Sequence, residues 1–83
     1  MMSQTLQVKG LSNIVLDADL VQLFRQHGTV VCARVIPSPS TGLGSGSGHV
    51  EMSSPAEARA ASSALDGAEY LGRTLKVTGE VGE

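Results

Sequence analysis

Aromatic side chains are scarce in this sequence, with one phenylalanine, one tyrosine and no tryptophan in 83 residues. A surface built from several rings is therefore excluded. There is one cysteine, Cys32, so no internal disulfide can form, and a lone thiol suits a reducing compartment. No basic segment followed by a long apolar run opens the chain, so the expected location is the cytoplasm. No apolar run exceeds four residues, which excludes a membrane-spanning helix. Charged residues make up only 17% and the net charge is −2. That balance excludes a bulk electrostatic grip on nucleic acid but leaves room for a small basic patch. The length allows one small domain and not an enzyme core with a cofactor domain beside it. At 41% hydrophobic, the chain is too apolar to read as disordered.

What is present is a sequence of short, well-punctuated elements. Leu6, Gln7, Val8 and Lys9 alternate in polarity and predict a half-buried strand that Gly10 ends. Leu11 and Ile14 follow in a loop expected to tuck against the core. Asp17 to His27 reads as a helix, because Leu20, Leu23 and Phe24 fall on one stripe. Asp17 and Asp19 suit its positive N-terminal end, and Gly28 is its natural stop. Thr29 to Ile36 is rich in β-branched residues and predicts a strand, closed by Pro37 and Pro39. Residues 38–46 are rich in Gly, Ser and Pro and read as a flexible hairpin loop. Ser47 to Met52 predicts a third strand, in which Gly48 leaves room for the first helix below.

The second helix carries the clearest local signal. Ser54, Pro55 and Glu57 stand at N-cap, N1 and N3, the pattern of a capping box with proline in its preferred place. Ala58, Ala61, Ala64 and Leu65 form its sheet-facing stripe, and Gly67 ends it. Leu71, Leu75 and Val77 supply a last strand, and residues 79–83 are expected to fray.

The order strand, helix, strand, strand, helix, strand predicts an α+β fold. It is the ferredoxin-like β-α-β-β-α-β sandwich, a four-stranded antiparallel sheet with two helices on one face. A single domain over 1–83, with its core at about 5–78, accounts for the whole chain. One sheet face is then bare. Alternation sends Leu6, Val8, Ala33, Val35, Gly48, Val50, Met52, Leu75 and Val77 inward. It sends Gln7, Lys9, Cys32, Arg34, Ile36, Ser47, His49, Glu51, Lys76 and Thr78 outward.

With these residues the chain resembles the RNA recognition motif family, over about Thr5 to Thr78. Leu6 to Leu11 is similar to the family's first-strand signature, and Ser45 to Met52 to its third-strand signature. Leu20 with Leu23-Phe24, Leu65-Asp66-Gly67 and Gly72-Arg73-Thr74-Leu75 fall where the family has matching residues. The short single-domain layout looks most similar to bacterial members. The resemblance implies a non-catalytic domain that takes single-stranded RNA on the open sheet.

The sequence departs from the family at the positions that usually carry rings, which here hold Gln7, Ser47 and His49. Ser45 stands where the family is usually basic. Each stacked base is worth about 1–3 kcal/mol, so binding without the rings is expected to be weak. The candidate RNA-binding residues are Gln7, Lys9, Arg34, Ser47, His49 and Lys76. The three cations read as phosphate contacts or as a solvated face paired with Glu51. Gln7 reads as a base-edge contact or a wet polar residue. His49 reads as a weak stacking platform or an exposed cross-strand partner. Cys32 reads as a half-buried strand residue or the site of an intermolecular bridge.

No metal ligand set, catalytic set or cofactor is expected. The loop after the first strand has neither the arginine of acylphosphatase nor the cysteine pair of copper chaperones on the same fold. Two functions remain. One is weak, salt-dependent binding of single-stranded RNA. The alternative is a protein-interaction or self-association module that has lost the stacking chemistry, with a homodimer or protein partner on the sheet face or an edge strand.

Overall fold

The computed structural model describes residues 3–12, 14–37 and 44–79. Along the chain run β1 (Gln4–Lys9), α1 (Asp17–Phe24), a 3₁₀ turn (Arg25–His27), β2 (Val30–Pro37) and β3 (Gly44–Met52). After these come α2 (Pro55–Leu65), β4 (Glu69–Tyr70), β5 (Arg73–Thr74) and β6 (Lys76–Gly79). β2, β3, β1 and β6 lie in that order in one antiparallel sheet. α1 packs over β2 and β3, and α2 over β6, β1 and β3. This is the ferredoxin-like sandwich expected from the element order.

The core lies between the sheet and the helices. Leu6, Val8, Val50, Met52 and Val77 enter it from the sheet, and Leu20, Phe24, Ala58, Ala61 and Leu65 from the helices. Phe24, the one phenylalanine, is fully buried under the sheet, and Tyr70 is half-buried against the same core. Neither ring reaches the outer face. Gly48 explains how α1 comes so close. A Cβ there would stand 2.8 Å from the Arg34 carbonyl oxygen and 2.9 Å from Leu20 Cδ1. Gly10 turns the chain out of β1 at φ 82°, and a Cβ there would meet the Thr74 carbonyl oxygen at 2.3 Å.

Several expectations need correction. The chain between α2 and β6 holds a small extra hairpin, β4–β5, with Leu71 exposed at its turn and not in the last strand. β3 starts at Gly44, so residues 44–46 of the expected loop are strand. Leu11 N–H binds the Gly46 carbonyl at 2.9 Å and holds that end of β3 to the β1–α1 loop. The rest of the loop, 38–43, lies outside the described residues. Gly79 is the last residue of β6, and the rest of the tail, 80–83, falls outside the described residues. Ile14 is 68% exposed and Val15 is buried in its place. Ala64 is exposed because the buried stripe of α2 runs through Ala58, Ala61 and Leu65.

Carboxylates join the layers. Ser54 caps α2 as expected, its Oγ accepting from the Glu57 N–H at 3.2 Å. The Glu57 carboxylate is an acceptor in turn. It accepts from the Ser53 hydroxyl, from Ser54 Oγ and from the Thr29 N–H at 3.1 Å, tying α2 to the start of β2. Asp17 Oδ1 accepts from the Val35 N–H at 2.7 Å, and Asp66 Oδ1 from the Val77 N–H at 3.0 Å. Both amides belong to edge strands, so each tie also covers part of an exposed edge. Asp19 caps α1 by accepting from the Leu16 N–H at 2.8 Å.

Candidate functional site

The outer sheet face is arranged in rows set by strand register. At its centre Gln7 of β1 stands between His49 of β3 and Thr78 of β6, and Arg34 of β2 stands beyond His49. Two residues toward the β1–α1 loop, Lys9 stands between Ser47 and Lys76. Two residues the other way, Glu51 stands between Thr5 and Cys32. All six candidate residues are thus on one face in two adjacent rows. Lys9, Arg34 and Lys76 are exposed, and Gln7, Ser47 and His49 are half-buried. Gln7, Lys9, Ser47, His49 and Ile36 line a shallow depression in that face.

The charges are not evenly mixed. Lys9 lies directly across from Lys76. Like charges in that position repel, and no carboxylate shares their row. Glu51 is four residues away along the sheet, or roughly 13 Å at about 3.3 Å per residue. That exceeds the Debye length of about 8 Å at physiological salt, so Glu51 does little to quench the lysines. The expected cross-strand pairing with Glu51 is therefore not what the register builds for Lys9 and Lys76. Glu51 instead accepts from the Ser3 hydroxyl on one oxygen and from the Cys32 thiol at 3.4 Å on the other.

Cys32 points outward and is exposed. Burial, then the hydrogen bond to Glu51 and its negative charge, push the Cys32 thiol up, with Arg34 opposing. The thiol therefore stays protonated and a poor nucleophile near neutral pH. Among the described residues no group of three or more His, Cys, Asp or Glu side chains could hold a metal. Likewise, no described helix is long and apolar enough to cross a membrane.

Sequence reasoning placed the outward residues because a strand's side chains alternate strictly. It missed the rows. Which outward residues stand beside which depends on register, and the bulge near Val31 shifts β2 against β3. The carboxylate ties were missed for the same reason, since Asp17, Asp66 and Glu57 each reach a strand amide far away in sequence.

Known proteins share both the sequence and this geometry. RbpA of Synechocystis sp. is 42% identical over 73 residues, covering 88% of this chain and 72% of that protein. RbpE of Nostoc sp. is also 42% identical over 73 residues, covering 88% and 74%. The crystal structure of RNA Binding Protein PG1 superposes with a TM-score of 0.89 at 36% identity, covering 96% of each chain. The family profile for the RNA recognition motif matches residues 6–76, from β1 through both helices to the start of β6. With the sheet order, the open face and both signature strands in place, this chain belongs to the RNA recognition motif family.

Proposed function

We propose that the chain binds single-stranded RNA weakly on its outer sheet face, with phosphate at Lys9 and Lys76 and with Arg34, Gln7, Ser47 and His49 beside it. The observation that carries this reading is the lysine pair. The two lysines stand opposite each other in register with no acid in their row, and an anion between their ammonium groups would relieve the repulsion. Membership of a family whose members take RNA on this face supports it, as does likeness to a solved RNA-binding protein. Without rings on the face, phosphate contact supplies most of the affinity, and the interaction is correspondingly salt-sensitive.

Two or three phosphate contacts on a single strand predict a fall in affinity of about tenfold between roughly 50 and 200 mM salt. An NMR titration with short mixed-sequence RNA reads this directly. Amide shifts should concentrate at Lys9, Ser47 and Lys76, and the double variant K9E/K76E should lose them while staying folded. A wild-type spectrum unchanged at millimolar RNA in low salt sinks the proposal.

A second reading has one observation of its own. Ile36, 39% exposed on the same face, and Val31, 54% exposed on edge strand β2, offer apolar surface to a protein partner or a second copy. Sedimentation showing a dimer, with no RNA-induced shifts, favours this alternative.

A further inference from the structure

Among the described residues Glu51 is the one acid among the cations of the outer face, and its surroundings differ from theirs. It stands near the end of β3, between Thr5 and Cys32, at the end of the sheet away from the lysines. Ser3, just ahead of β1, donates to one carboxylate oxygen, and Cys32 on β2 donates to the other. The donors on this carboxylate are thus Ser3 and Cys32. The raised Cys32 thiol keeps its proton and so remains a donor.

A carboxylate offers about four acceptor positions. Two are used here, one on each oxygen. What remains is one acceptor position on each oxygen of a half-buried residue on the outer face. Only donors satisfy such a pair. Guanine presents two adjacent donors, N1–H and the N2 amino group, spaced to meet the two oxygens together. Cytosine and adenine present one amino group next to an acceptor nitrogen. Uracil presents a single N3–H between two carbonyl oxygens, and both oxygens repel the carboxylate.

We infer that Glu51 is a specificity-determining residue, selecting guanine at the Glu51–Thr5 end of the sheet while the backbone lies on Lys9 and Lys76. The inference rests on the RNA reading proposed above. It adds sequence preference to a face whose lysines supply none, because phosphate contacts position and base contacts specify. A site built to meet two donors rejects a base that lacks them more strongly than an apolar contact would.

The test uses three seven-nucleotide RNAs at low salt: all uridine, uridine with one central guanosine, and uridine with one central inosine, which lacks the N2 amino group. Affinities are read by fluorescence anisotropy for the wild type and Glu51→Gln. The guanosine RNA should bind wild type about fivefold to tenfold tighter than all-uridine, with inosine between. Glu51→Gln should erase the difference, and its melting curve should match the wild type. Equal wild-type affinity for the three RNAs, with salt-dependent binding intact, overturns the inference and leaves the RNA reading standing. A guanosine preference that survives in Glu51→Gln overturns it too. No binding of any RNA removes both.

Discussion

On β1 the residues that hold the fold and the residues that meet the solvent alternate one by one. Leu6 and Val8 are at most 1% exposed, while Gln7 and Lys9 between and after them stand on the open face. β3 repeats the arrangement, with Val50 and Met52 fully buried and His49 and Glu51 turned outward. Stability and recognition are therefore carried by neighbours in sequence that lie on opposite sides of one sheet. The inner face is uniform, apolar and closely packed. The outer face is sparse, charged and sorted into a cationic end and an acidic one. The consequence is that each face can be changed almost without touching the other.

The largest effect should come from the inner face. Leu6→Ala removes a side chain that is 1% exposed among Val50, Val77 and the residues of α2. Transfer and cavity terms together should cost about 2–5 kcal/mol, a large share of what a domain of this size possesses. Urea unfolding should show the midpoint drop at unchanged slope. A loss below about 1 kcal/mol would mean that the inner face is not the continuous core described here.

The inner face was legible in the sequence nearly residue by residue. Period-two alternation names the inward residues of a strand, and the Leu20–Phe24 stripe names those of α1. The outer face was legible as a set of residues and not as a pattern. That Lys9 meets Lys76, and that Glu51 meets Cys32, follows from register. The Cys32 match depends on the bulge at Val31 in β2, and the Lys76 match on how β6 is set along β1, neither of which composition reveals. The β4–β5 hairpin was hidden for a different reason. Leu71 continues an apolar pattern, yet it sits at φ 53° in a turn whose strands are two residues each.

A smaller effect separates the sheet from its joints. The Ser53 hydroxyl, then the Thr29 N–H, hold the Glu57 carboxyl below the usual carboxylate range, with Ser54 adding to them. A carboxyl lowered by folding stabilises the native state above its unfolded pKa, and that contribution disappears as pH falls through the lowered value. Glu57→Gln keeps the shape and removes the charge. Its melting temperature should lie below the wild type at neutral pH, and the two curves should converge as the pH drops into the acid range. A gap that stays constant with pH would assign the loss to packing and not to the charged tie between α2 and β2.

The smallest effect should have the opposite sign. Lys76→Glu sets a carboxylate across from Lys9 where two ammonium groups now repel. Opposite-charge pairs across antiparallel strands contribute roughly 0.2–1 kcal/mol, and exposed ones lie at the lower end. The variant should melt at the wild-type temperature or a few degrees above it, at about 4–8 °C per kcal/mol for a domain of this size. Any gain should shrink in high salt, where screening weakens both the old repulsion and the new attraction. The same variant should bind RNA less well, so stability and binding move in opposite directions on one substitution. A Lys76→Glu protein that loses more than about 1 kcal/mol would show that the lysine supports the sheet, and the separation of the two faces would then fail at β6.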